Sequence, residues 1–211
     1  MGNIKYFFTV STGVIECLTG AGIIFGWSNL RLVLQKEKFF YDSSRCNDTD
    51  GTNYEECTTE LTNAQEASFN KVYTVASLLL GFSILPNGLI FDKFGTLVTR
   101  VLASILFLVG CLVLAYAKIE DSFLVYIAMS CICVGGILFL VTNFQTGNLF
   151  PKYRSSIIAL ISGSLDSSSV VCLFIKLAYD SGYSIKSIFL VYSLFTAYQI
   201  LRLSLKLTYI I

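Results

Sequence analysis

The chain has 211 residues, of which 55% are hydrophobic and only 14% charged, with a formal net charge of +1. Mean hydropathy is +0.69 and a typical soluble domain carries about 25% charged residues, so a water-soluble enzyme is excluded on composition. Histidine, the commonest metal ligand and general base, is absent, and the basic residues never form a run that would hold nucleic acid; no metal, cofactor or nucleic-acid partner is expected.

Six apolar runs are each long enough for a hydrocarbon core of about 30 Å, which takes about 20 helical residues: 6–27, 72–91, 96–117, 123–144, 157–178 and 188–205. The spacing predicts an all-α membrane protein of six transmembrane helices, with residues 1–211 forming one bundle in the lipid bilayer. The first run is too long for a cleavable signal peptide and has almost no basic region before it, so it reads as an anchor that stays.

Near the middle of that first run stands Glu16, where an acid costs about 2.5–3.5 kcal/mol on insertion scales. Thr12, Thr19 and Gly20 share its helical face. Two readings stand: the stripe faces a water-filled substrate cavity, or the acid is buried and hydrogen-bonded to a neighbouring helix. Gly22 and Gly26 have the small-xxx-small spacing that lets helix backbones approach.

One long polar segment follows, about 35–70, predicted as a loop between the first two helices. It carries the sequon Asn47-Asp48-Thr49 and two cysteines, Cys46 and Cys57. A sequon marks a glycosylated surface loop on the secretory side, and a disulfide would form on that same oxidising side; the alternative is a pair of free thiols. With this loop outside, both termini lie in the cytoplasm. The short loops agree, because Lys93, Arg100, Lys152 and Arg154 then gather at the cytoplasmic face. The other five cysteines, Cys17, Cys111, Cys131, Cys133 and Cys172, lie in apolar runs and read as small packing residues.

The second and third runs are joined by Gly88-Leu89-Ile90-Phe91-Asp92-Lys93-Phe94-Gly95. An acid and a base cannot sit in hydrocarbon without a large penalty, so Asp92 and Lys93 mark a membrane surface, and the glycines suit a tight turn with close backbone approach. This segment resembles the G-x-x-x-D-(R/K)-x-G loop between the second and third helices of major facilitator superfamily transporters. The resemblance implies that Gly88, Asp92, Lys93, Gly95 and Arg100 serve a gate that locks the cytoplasmic side.

The fourth run ends in Thr142, Asn143, Gln145, Thr146 and Asn148. Thr142, Gln145 and Asn148 share one face, and Asn143 points away from it toward Thr146. Side-chain amides donate and accept without charge, which suits a neutral heteroaromatic ligand; a solvated helix end is the other reading. In the fifth run Asp166 has Ser162 and Ser169 on its face, within the unusually polar run Asp166-Ser167-Ser168-Ser169. Serines in membranes also serve plain helix packing, but an intramembrane acid is a functional candidate. Phe25, Trp27 and Phe139 are candidates to stack on a planar ligand, or to be core or interface anchors. The substrate-cavity candidates are therefore Glu16, Asn143, Gln145, Asn148, Asp166 and Ser169.

Further stretches narrow the family. Glu16-Cys17-Leu18, Ala21-Gly22 and Phe25-Gly26-Trp27 resemble the first helix of solute carrier family 43. So do Gly135 to Leu140, Thr142-Asn143, Gly147 to Phe150, Arg154-Ser155, Asp166 to Ser169 and Ile175 to Leu177. The Glu-Cys-Leu and Asp-Ser-Ser-Ser stretches are similar to its equilibrative nucleobase transporter branch more than to its neutral amino-acid facilitators. The resemblance implies a twelve-helix plasma-membrane facilitator that moves purine nucleobases without a coupled ion. The second six-helix half is absent from these residues, so the expectation is one half of a carrier. The alternatives are half of a neutral amino-acid facilitator, or a truncated, non-transporting membrane partner.

Overall fold

Seven α-helices are described, the first two being parts of one bent element. They are α1 (Gly2–Gly20), α2 (Trp27–Lys36), α3 (Tyr54–Tyr116), α4 (Leu124–Phe144), α5 (Arg154–Ser167), α6 (Ser169–Asp180) and α7 (Ile185–Thr208). The computed structural model describes residues 2–41 and 54–208, with side chains at 9–41, 59–148 and 150–197. Short 3-10 turns at Ile23–Gly26, Gln145–Leu149 and Pro151–Tyr153 join neighbouring pieces.

The 63-residue α3 is two helices meeting at Gly95, whose φ of 76° and ψ of 178° are not helical. The chain reverses there. As a straight helix the stretch from Ser68 to Gly110 would run to about 60 Å, yet both ends meet the start of α4. The Tyr126 hydroxyl donates to the Ser68 carbonyl at 3.4 Å, and a Cβ built on Gly110 would lie 2.9 Å from the Ala128 carbonyl oxygen. The two arms, 54–94 and 96–116, are therefore antiparallel.

Among the described residues, three stretches are long and apolar enough to cross a membrane: Thr59–Tyr116, Leu124–Asn148 and Pro151–Asp180. A fourth is the pair Thr9–Gly20 and Ile23–Lys36, bent by 45°. The sequence pattern expects six. The difference arises because Thr59–Tyr116 holds two antiparallel arms, and because only a short described part of α7, Ile185–Ala197, meets the apolar criterion.

Other expectations need correction. The first run does not end at 27: it breaks after Gly20 and resumes as α2 to Lys36. The polar segment 35–70 is not all loop, since α3 begins at Tyr54. Its polar composition hides a helical stripe, because Leu61, Gln65, Phe69, Val72 and Ala76 are all buried at spacings of three or four. Gln65 caps this packing by donating from Nε2 to the Phe39 carbonyl at 2.7 Å. The Asp92 segment is not a loop of several residues either; helix continues through Asp92 and Lys93, and the single break is Gly95. Among the described residues Gly88 and Gly95 have nothing within 4 Å of a built Cβ, so neither serves a close approach to them. The fifth run is divided into α5 and α6 at Ser168, whose hydroxyl donates to the Leu165 carbonyl at 2.6 Å.

Backbone-to-backbone contact is the main means of packing. A Cβ on Gly136 would lie 2.6 Å from the Gly20 carbonyl oxygen; one on Gly22 would lie 2.4 Å from that of Leu165, and one on Gly26 2.7 Å from that of Ser169. The break in the first element is thereby clamped between α4 and the α5–α6 helix. The main core fills the space between α2, both arms of α3, α4, α6 and α7, with Phe69, Phe107, Leu114, Met129, Leu138 and Phe189 fully enclosed. At one end of the bundle α2 is tied to α3 by Arg31–Glu66 at 3.5 Å and to α6 by Lys36–Asp180 at 2.6 Å.

Candidate functional site

The polar candidates separate into three groups along the bundle. The first is buried. Glu16 on α1 is 5% exposed and is the one charged residue among the buried described residues. Its carboxylate is ion-paired and hydrogen-bonded to the Arg100 guanidinium from the second arm of α3. The Asn143 amide on α4 donates from Nδ2 to Glu16 Oε2 at 3.0 Å and toward Cys17 Sγ at 3.3 Å. A Cβ on Gly13 would lie 2.9 Å from Asn143 Oδ1, so the bare backbone there makes room for the amide. A buried carboxylate needs both a counter-charge and hydrogen-bond donors, and here it has both.

The second group lies at the end of α4. Asn148 Nδ2 donates to Gln145 Oε1 at 2.6 Å, with Asn148 exposed. Gly147 packs against Ile158 and Arg154, which places this pair beside the first turns of α5. The third group is on the open face of the α5–α6 helix. Asp166 is exposed and Ser169 half-buried; the Ser169 hydroxyl donates to the Asp166 carbonyl at 3.2 Å. Among the described residues no donor or cation meets the Asp166 carboxylate, and a Cβ on neighbouring Gly163 would meet nothing within 4 Å. Asp166 lies about 12 Å of helix beyond Ile158; a side-chain hydrogen bond joins Glu16 to Asn143, and among the described residues none joins either of them to Gln145, Asn148, Asp166 or Ser169.

The aromatic candidates also divide. Trp27 is buried edge-on against Phe69, their centroids 6.2 Å apart, and Phe139 is buried 5.8 Å from Phe107. Phe25 is 53% exposed, next to the clamped break. Among the gate candidates, Asp92, Lys93 and Gly95 are exposed at the hairpin turn, whereas Arg100 turns inward to Glu16. Sequence reasoning missed that partnership, and Gly13 with it. The available signal was that Arg100 is the one basic residue within the third apolar run, as Glu16 is the one acid within the first. Asn47 and Cys46 lie outside the described residues, as does the side chain of Cys57. No group of three or more metal-binding side chains occurs among the described residues.

An all-helical bundle with several apolar crossings and intramembrane polar groups defines a multi-pass membrane protein. The profile of the Major Facilitator Superfamily matches residues 17–206, and the chain belongs to that family, one of transporters rather than enzymes. It is 40% identical over 197 residues to equilibrative nucleobase transporter 1 of Bos taurus, covering 92% of this chain and 39% of that protein. It is 34% identical over 177 residues to large neutral amino acids transporter small subunit 3 of Mus musculus, covering 81% of this chain and 31% of that protein. Protein FMP42 of Saccharomyces cerevisiae is 28% identical over 203 residues, 94% of this chain and 38% of its own length. The chain thus spans well under half of the curated relatives it matches. No solved structure matches it.

Proposed function

We propose that this chain is the N-terminal six-helix half of a facilitative carrier of purine nucleobases. The six crossings are the bent α1–α2 pair, the two arms of α3, α4, the α5–α6 helix and α7. The observation that carries the substrate reading is the pairing of charges inside the bundle. Arg100, the basic residue of the third apolar run, is already neutralised by Glu16, whereas Asp166 stands exposed without a counter-ion among the described residues. A zwitterionic amino acid needs a cation for its carboxylate, and the described residues offer none free in mid-span. A neutral purine needs hydrogen-bond acceptors and donors plus an aromatic face; Asp166, Ser169, Gln145, Asn148 and Phe25 supply them. The likeness to a bovine nucleobase transporter at 40% identity supports the same choice. The likeness to an amino acid transporter at 34% keeps the second reading in play.

Labelled adenine and labelled leucine uptake, measured on the carrier expressed from its complete reading frame, separates the two. Saturable adenine uptake is expected; leucine uptake without adenine uptake would sink the nucleobase reading. Location in the plasma membrane with both ends cytoplasmic is part of the proposal, with Asn47 glycosylated and Cys46 bonded to Cys57 outside. Enzymatic removal of N-glycans should shift the wild type on a gel and leave Asn47→Gln unshifted. A wild type that never shifts in a glycosylating cell removes this topology's main support.

A further inference from the structure

The first helix is held in an unusual way. Its close neighbours are α4 and α5, whereas the second arm of α3 reaches its middle through the long Arg100 side chain. That guanidinium meets the same carboxylate oxygen, Oε2 of Glu16, that the Asn143 amide meets at 3.0 Å. The side chains of Glu16 and Arg100 are 7% and 23% exposed. A ligand that bound Glu16 would have to displace Arg100 and strip a buried charge of its partner.

We infer that Glu16 and Arg100 are positioning residues: a self-neutralising pair, oriented by Asn143, that fixes the broken first helix against α3 and α4 and does not touch the transported molecule. Either charge alone in this setting is uncompensated, whereas removing both together removes the penalty with the attraction. The inference goes beyond the substrate reading, and it assigns Glu16 and Asn143 to the scaffold and leaves the open face to the ligand.

A charge signature follows. In Arg100→Gln the Glu16 carboxylate keeps only the Asn143 amide and stands as an uncompensated buried charge. The other ionisable groups on the elements around α1 are Tyr126, Cys131 and Cys133 on α4, Arg154 and Asp166 on α5, and Lys5, Tyr6 and Cys17 on α1 itself, the side chains of Lys5 and Tyr6 lying outside the described residues; the turn Gln145–Leu149 has none. Among the described residues only Arg100 pairs with the carboxylate.

The test uses the carrier expressed from its complete reading frame, with melting temperature in detergent and surface-normalised uptake as readouts. Glu16→Gln and Arg100→Gln should each lower the melting temperature and cut the maximal rate on the order of tenfold. The double variant Glu16→Gln/Arg100→Gln should recover most of both, with an apparent KM within about twofold of the wild type. A double variant as unstable as the singles overturns the inference. A Glu16→Gln that keeps its rate but raises KM several-fold would make Glu16 a substrate ligand instead. Where the singles cannot be recovered from cells, the double variant against the wild type decides. The melting series needs no transport, so a wild type that moves neither adenine nor leucine overturns the functional reading alone.

Discussion

Gly136→Ala should abolish the folded carrier, while Gly163→Ala should leave it intact or slightly firmer. Both replacements add one methyl group to a helix interior, and both gain about 1 kcal/mol of helix propensity. Their surroundings decide the sign. At Gly136 the new Cβ falls 2.6 Å from the Gly20 carbonyl oxygen and 2.9 Å from that of Ala21. These are main-chain atoms, unable to swing aside as a side-chain end does, and they belong to the place where the first helix breaks. Overpacking of this kind costs about 1–3 kcal/mol when side chains absorb it, and more when two backbones must part. At Gly163 the methyl enters open space. Size-exclusion chromatography of a fluorescent fusion reads the difference: a single symmetric peak for Gly163→Ala, aggregate or no peak for Gly136→Ala. A wild-type profile from Gly136→Ala would show that α4 and the first helix do not meet as described.

How much of this was legible in the sequence depended on what each residue had to meet. The fourth run, 123–144, was read almost to the residue as Leu124–Phe144, because an unbroken apolar stretch with a polar end needs no partner to declare itself. Gly22 and Gly26 showed their packing role through spacing alone. The break beside them did not show, since glycines that permit close approach and glycines that end a helix look alike until the neighbour is known. Residues 54–70 read as loop because Thr, Glu and Asn dominate them. Their helix is held by one buried stripe, Leu61, Gln65 and Phe69, and by partners far along the chain, Phe39 and Tyr126. Glu16 and Arg100 were each visible, but in different runs. Distance from the Asp92 turn suggested that Arg100 belonged to the membrane surface, and only the fold brings its long side chain inward. Asp166 was found from the same kind of signal as Glu16, an acid in an apolar run, yet the two environments are opposite: one neutralised and enclosed, the other open.

The second large effect is expected at the hairpin turn. Gly95 has φ 76° with ψ 178°, a region open essentially only to glycine, where any other residue costs of order 1–3 kcal/mol. The local alternative makes matters worse. Phe94 and Thr96 are both helical, so an alanine between them favours a straight continuation, and the antiparallel arms would be driven apart. Gly95→Ala should therefore abolish surface expression, although nothing crowds its side-chain position: the cause is backbone conformation, not space. Asp92→Asn, three residues earlier on the exposed end of the first arm, provides the contrast. It removes a charge that has no ion-pair partner among the described residues, so the hairpin should form and surface amount should stay near wild type. In the proposed gate, that carboxylate with Lys93 meets the second half of the carrier in one state only, held there by a cation or a helix N-terminus. Asp92→Asn should then change the rate of substrate exchange more than the amount of protein at the surface, measured by biotinylation and counterflow side by side. Should Asp92→Asn lose its surface expression as Gly95→Ala does, the acid would be part of the turn's structure and the gate would have to be sought elsewhere. Normal expression with unchanged exchange would leave Asp92 as a marker of the membrane surface and nothing more.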